Sequence, residues 1–209
     1  SAESNYVLTK FEYDDLGRLT TIKKKAIISI SSIFHTGDEK LIVKTSYDVL
    51  SRIKEKVISP DYNDGEGLET QQFDYNINGW LLGMNREYTP TNENTHHFFG
   101  FHLGYDKVNN ALALGQTYNQ AQYNGNIAGM VWKTSGDKEI RKYDYEYDRI
   151  GRLLRADFTQ FTNSTFNQSA GVNFDVKIGD GTRDNVNKAY DFLGNILSMQ
   201  QWGLKLNGR

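Results

Sequence analysis

Apolar and polar residues along this chain alternate with a period of two rather than 3.6. The run Arg141 to Tyr147 is the clearest case: Tyr143, Tyr145 and Tyr147 fall on one face, and Lys142, Asp144 and Glu146 on the other. Phe11 shares a face with Tyr13 in the same way, and Phe73 with Tyr75. This patterning predicts antiparallel strands with one packed face and one wet face. No window carries a helical apolar stripe over several turns. The pattern predicts an all-β protein.

The strands are punctuated by a recurring unit. It reads Tyr13-Asp14-Asp15-Leu16-Gly17-Arg18-Leu19, then Tyr47-Asp48-Val49-Leu50-Ser51-Arg52-Ile53. It returns as Tyr75-Asn76-Ile77-Asn78-Gly79-Trp80-Leu81, as Tyr147-Asp148-Arg149-Ile150-Gly151-Arg152-Leu153 and as Tyr190-Asp191-Phe192-Leu193-Gly194-Asn195-Ile196. Tyr123-Asn124-Gly125-Asn126-Ile127 is a shortened relative. The spacing between copies is irregular, which suits hairpins with loops of variable length better than a solenoid of identical coils.

Each residue of the unit has a task in a hairpin. Tyr ends one strand, and the Asp or Asn after it accepts hydrogen bonds from turn amides. Two residues form a type I turn, and Gly takes the left-handed position that closes a bulged three-residue loop. Arg or Asn with the following Leu or Ile starts the return strand. Ser51 stands where the other copies have Gly, and a non-Gly residue is unfavourable at positive φ. That copy is expected to have another turn geometry or a looser pairing.

Composition agrees with strands and narrows the chemistry. The 209 residues include 13 Tyr, 11 Phe, 3 Trp and 19 Gly but only 2 Pro. Cysteine is absent, which removes disulfides and thiolate metal sites. The formal net charge of −2 leaves no large basic field for nucleic acid. The longest apolar-looking stretch, Ala26 to Phe34, is broken by serines and too short for a membrane span. No apolar signal segment opens the chain, so an export signal would lie outside it.

The Tyr-Asp-x-x-Gly-Arg/Asn-Leu/Ile unit resembles the YD repeat of bacterial Rhs-type proteins, which also occurs in toxin-complex shell subunits and teneurins. The stretches Tyr75 to Tyr88, Phe99 to Tyr105, Tyr123 to Trp132 and Tyr190 to Gly203 carry the resemblance furthest, and it extends from about residue 6 to residue 205. It implies a single repeat region over residues 1–209. That region would be a fragment of a larger, exported or cell-surface bacterial protein. Its antiparallel hairpins would form a curled or spiralling sheet, part of a shell around a C-terminal toxin or effector. The Asp-Pro-x-Gly core motif of those relatives is missing, because the chain has no Asp-Pro dipeptide.

Candidate sites of other kinds compete poorly with this reading. Asp14, Asp48, Asp148 and Asp191 occupy equivalent turn positions, so one local role explains all four better than a catalytic pair in unlike environments. His96, His97 and His102 form the best metal candidate, but His96 and His102 would lie about 20 Å apart on a strand. The loops Asp61 to Gly67 and Asp180 to Asn185 have a calcium-loop flavour without the ligand spacing. Lys23-Lys24-Lys25 reads as a charged strand end. No phosphate loop, serine elbow or zinc-helix motif is present.

The expectation is therefore a module without catalytic residues, cofactor or metal, partnered by the rest of its own polypeptide. Its repeat residues are Tyr13, Asp14, Gly17, Tyr47, Asp48, Tyr75, Asn76, Gly79, Tyr147, Asp148, Gly151, Tyr190, Asp191 and Gly194. The alternative is a glycan-binding surface, with Trp80, His96, His97, Trp132 and Trp202 as candidates. Exposed sheet edges also predict edge-to-edge self-association.

Overall fold

The structure is a computed structural model, and it describes residues 4–30, 33–90, 97–106, 109–110 and 116–203. It is an antiparallel all-β protein whose described helical content amounts to single turns. Two compact units divide it. The first runs to Asp74 and takes in His97 and Phe98; the second comprises Tyr75 onward and everything from Phe99.

The first unit holds β1 (Ser4–Tyr13), β2 (Leu19–Ile30), β3 (Ile33–Thr36), β4 (Lys40–Tyr47), β5 (Ile53–Ile58) and β6 (Glu69–Tyr75). The strands lie in the order β1-β2-β4-β5-β6, with β3 added beside β2. Hairpins join β1 to β2 and β4 to β5, and each has a register shift just before its tyrosine. Lys23-Lys24-Lys25 falls inside β2, flanked by β1 and β4, not at a strand end. Lys23 is held there by Glu12 at 2.8 Å. Large apolar side chains stay in solvent along the edge strand β1: Val7 is 64% exposed, Tyr13 60% and Phe11 50%.

The second unit holds β7 (Leu81–Met84), β8 (Phe99–Gly104), β9 (Asn109–Asn110), β10 (Gln116–Thr117), β11 (Gly129–Thr134) and β12 (Ile140–Tyr147). After these come β13 (Leu153–Thr162), β14 (Thr165–Asn167), β15 (Val176–Ile178), the single-turn helix α1 (Val186–Ala189) and β16 (Met199–Gln201). Its main strands run β7-β8-β11-β12-β13-β15-β16, with β14 beside β13 and β9 paired to β10 apart from them. Every buried hydrophobic side chain among the described residues belongs to this unit.

Both faces of its central strands are covered. On one face Phe158, fully buried, meets Trp132, Tyr143 and Phe174 at ring-centroid distances of 6.1, 5.6 and 5.1 Å. Leu154 packs on the same strand against Ile178 and Ala189. The other face carries the residues that alternation assigns to water, and here the structure departs from that expectation. Lys142 and Asp144 are buried and paired at 2.7 Å. The Lys142 ammonium sits over the rings of Tyr118 and Phe166, and the Asn119 N–H donates to Asp144 at 3.0 Å.

Two glycines explain how a loop reaches that face. Gly104 and Gly129 are cross-strand partners, and the Tyr118 ring lies where their Cβ atoms would be, 2.2 and 2.1 Å from the nearest ring atoms. Only the bare backbone leaves room for the ring. Sequence alternation registers the polarity of Lys142 and Asp144 but not a cover supplied from a distant loop.

Candidate functional site at the repeat junctions

The recurring unit forms the same turn in five places. Counting its tyrosine as position one, the backbone N–H of position two donates to the carbonyl of position six. These are Asp14 to Arg18, Asp48 to Arg52, Asn76 to Trp80, Asp148 to Arg152 and Asp191 to Asn195, at 2.9–3.0 Å. The N–H of position five returns to the carbonyl of position two in each. Position five has positive φ throughout: Gly17 76°, Gly79 82°, Gly151 86° and Gly194 88°.

Ser51 has φ 62° and makes the same two bonds at the same lengths, so the expectation of a different or looser turn is corrected. The hydrogen bonds of Asp48 and Arg52 over-determine the turn and hold a serine in the left-handed region.

The aspartate does more than accept turn amides. In the four Asp copies Oδ1 takes the N–H groups of positions four and six, and Oδ2 takes the side chain of position six. Arg18, Arg52 and Arg152 donate through Nε at 2.7 Å, and Asn195 substitutes through Nδ2 at 2.8 Å. Each carboxyl titrates below the ordinary aspartate range. At Asp14 the Arg18 backbone N–H is the largest cause; at Asp148 burial pushes upward and the Arg152 hydrogen bonds outweigh it.

Position one reaches the neighbouring unit. The Tyr47 hydroxyl donates to the Leu19 carbonyl at 2.8 Å, and Tyr190 donates to that of Leu153 at 2.6 Å. Tyr147 donates to Ile127 at 2.8 Å, and Tyr105 to Leu81 at 2.9 Å. In every case the acceptor is position seven of the preceding unit. Position six of that unit lays a flat group on the same tyrosine: Arg18 on Tyr47 at 4.7 Å, Trp80 on Tyr105 at 5.1 Å and Arg152 on Tyr190 at 4.3 Å.

These contacts redraw one unit. Tyr123, which leads the shortened copy in sequence, is 79% exposed. Tyr105-Asp106 and Asn126-Ile127 instead supply the two ends, because Tyr105 bonds back to Leu81 and Ile127 accepts from Tyr147. β8 and β11, which flank this long connection, pair as a hairpin does, Gly104 opposite Gly129. The signal was present in the sequence as a Tyr-Asp dipeptide at residue 105, hidden by the distance to its other half.

The remaining candidates disperse. Trp80 is a junction residue, and Trp132 stacks on Tyr143 at 5.1 Å, so both rings serve packing within the unit. Trp202 is 38% exposed, with the Lys177 ammonium 5.3 Å from its ring centre. His96 lies outside the described residues, and His97 is half-buried. His102 is fully buried on β8, accepts from Arg86 Nε at 3.0 Å, and is pushed down to about 4 by burial and the Arg86 charge. The Asp180 carboxylate is engaged by Thr182 and Asn185 of its own loop, and Asn63 donates to Glu66 in the other. Among the described residues no group of three His, Cys, Asp or Glu could hold a metal ion. No described helix is long and apolar enough to cross a membrane, which says nothing of strands.

No protein-family model matches the chain, and no curated protein does. Among solved structures, a porin-like protein from Bacteroides uniformis ATCC 8492 is similar at 13% identity and a TM-score of 0.23. The match covers 79% of this chain and 87% of that one. At that score the likeness carries no argument about fold or function.

Proposed function

We propose that this chain is a non-catalytic YD-repeat module that acts as a structural and interaction scaffold. The reading places it in a large exported or cell-surface bacterial protein, where the repeats support or enclose an effector domain. The observation behind it is the junction: one tyrosine hydroxyl, one carbonyl and one flat side chain recur between successive hairpins in both units. Such a device fixes neighbour to neighbour and leaves loops free, which suits building an extended sheet rather than positioning reacting groups. The reading assigns no chemistry to the clamp carboxylates, each of which is satisfied by its own turn.

Two measurements test it. Tyr47→Phe and Tyr147→Phe keep the ring and remove the hydroxyl. Each is expected to lower stability by about 1 kcal/mol in denaturant titrations. Two silent variants would show that the hydroxyl does not join neighbouring hairpins. In the gene product that carries this chain, a segment enclosed by the repeats should resist protease until the sheet unfolds. Digestion of all flanking sequence at the rate of an unfolded chain would overturn the enclosing role.

A glycan-binding surface has less behind it, since Trp80 and Trp132 are engaged in packing and Trp202 alone keeps substantial exposure.

A further inference from the structure

The turn at residues 147–153 differs from the other four at its tip. Positions three and four are Asp15-Leu16, Val49-Leu50, Ile77-Asn78 and Phe192-Leu193 in those turns, and Arg149-Ile150 here. Arg149 is exposed, and among the described residues its guanidinium enters no hydrogen bond or ion pair. It borders a cavity of about 230 Å³ whose other lining residues are Asp148, Ile150, Arg152, Arg183 and Val186. Three arginines thus line one space.

Two of the three are held by bonds that leave donors over. Arg152 gives its Nε–H to Asp148 at 2.7 Å and lies 4.3 Å from the centre of the Tyr190 ring. Arg183 belongs to the single turn Arg183–Asn185, outside the repeated unit, and gives its Nε–H to the Tyr147 carbonyl at 2.9 Å. Its Nη2 donates to Gln120 Oε1. Among the described residues, Arg183 Nη1 and both Nη atoms of Arg152 make no hydrogen bond.

The nearby carboxylates are already engaged. Asp148 Oδ1 accepts the Ile150 and Arg152 N–H groups, Oδ2 accepts the Arg152 side chain, and the Asp148 side chain is 2% exposed. Glu146 pairs with Arg155 at 2.8 Å and lies 3.4 Å from Arg183. Three guanidinium groups against Asp148 leave the cavity wall positive, and Glu146 beside Arg183 does not cancel the excess.

We infer that this cavity binds a phosphate group, either inorganic phosphate or the end of a small monoester. A tetrahedral dianion offers oxygens in several directions, as three separate guanidinium groups require, whereas one fork satisfies a carboxylate. The cavity has the volume of roughly seven or eight waters, room for the phosphate and the first atoms of an ester. Ile150 and Val186 give those atoms an apolar wall. Arg152 and Arg183 are fixed before any ligand arrives, so that only Arg149 has to be ordered on binding. The site uses the turn and its ring contact but not the scaffold role, so the two readings stand or fall separately.

The whole chain is titrated with inorganic phosphate and with phenyl phosphate at constant ionic strength, followed by amide chemical shifts. The expected result is saturable shifts at residues 149–152 and 183–186, with none from chloride. Tighter binding of phenyl phosphate would assign the site to esters, and tighter binding of inorganic phosphate to the free anion; both support a phosphate site. Arg149→Gln should weaken binding about tenfold through the loss of a charged hydrogen bond, and Arg149→Lys should recover part of it. Arg149 sits at an exposed turn tip, so neither change threatens the fold. Lys10→Gln removes an exposed cation of the first unit and should leave the affinity unchanged. Shifts that never saturate, an equal response to chloride, or an Arg149→Gln variant that binds as tightly as Lys10→Gln would each overturn the inference.

Discussion

The two units are built from the same hairpin and differ in almost everything else. Arg18 on Tyr47 in the first and Arg152 on Tyr190 in the second are the same junction, with the same clamp behind each arginine. Yet the first unit leaves Val7, Phe11 and Tyr13 in water, while the second buries Phe158, Leu154 and Val131 completely or nearly so. The difference lies in the connections. The second unit has segments that fold back over its strands, bringing Tyr88 and Tyr118 to one face and Phe174, Ile178 and Ala189 to the other. Hairpin chemistry orders the backbone, and inserted loops supply the core.

Mutations that act on the core should therefore separate the units most. Phe158→Ala is expected to cost about 3–5 kcal/mol in denaturant unfolding. Phe11→Ala, at a half-exposed ring, should cost less than about 1 kcal/mol. Similar losses would mean that the apolar residues of the first unit are covered in solution.

Gly129→Ala should cost about 1–3 kcal/mol, because its new methyl would meet both the Tyr118 ring and the Tyr143 carbonyl. A change in the near-ultraviolet circular dichroism would report the displaced Tyr118. Gly17→Ala meets nothing in space and is strained only by its φ of 76°, for a loss of about 1 kcal/mol. A loss at Gly129 no larger than that at Gly17 would show that the covering loop is not held.

Acid should act on the second unit first. His102 takes up its proton near pH 4 in the folded protein and near 6.5 when unfolded, so the unfolded chain binds more protons between those values. Its contribution is complete above about pH 6.5 and falls away as the pH drops toward 4, by about 3 kcal/mol. His102→Gln should flatten that part of the stability profile; an unchanged slope would clear the histidine. The clamp aspartates, whose values are depressed in both units, begin to lose their contribution only below the ordinary aspartate range.

The smallest effect is expected in the first unit. Ser51→Gly relieves a serine at φ 62° and should stabilise by about 0.5–1 kcal/mol. Destabilisation would show that the Arg18 bond to the Ser51 hydroxyl outweighs the backbone strain.

What could be read from the sequence follows the same division. The strands, the five turns and the role of Asp, Gly and Tyr at their ends are local, set by residues within seven positions of one another. The position-six arginine was legible only as the start of a strand, because its partner is the tyrosine of another unit. Tyr105 is hidden because its turn is split by a long connection, and Tyr123 stands in for it because Tyr123-Asn124-Gly125-Asn126-Ile127 looks like a shortened copy of the unit. The burial of Lys142 and Asp144 was invisible for a related reason. Polarity along a strand reports solvent only when nothing folds over it, and Tyr118 reaches that face through two glycines on different strands. The tryptophans looked like ligand surface because an aromatic excess does not say which ring meets a neighbour.

The split unit between Tyr105 and Ile127 has a consequence for how such a sheet changes over time. β8 and β11 pair across it without a register shift, although the connection is far longer than the turn from Tyr13 to Leu19. The phase of the sheet is thus carried by a tyrosine on one side of the turn and a branched aliphatic residue on the other. What lies between them, the Tyr118 cover included, sets the phase of no strand. A graft of foreign sequence placed there should leave every downstream strand in step, whereas the gain or loss of one residue between the aliphatic position and the next tyrosine would throw the following strands onto the opposite face.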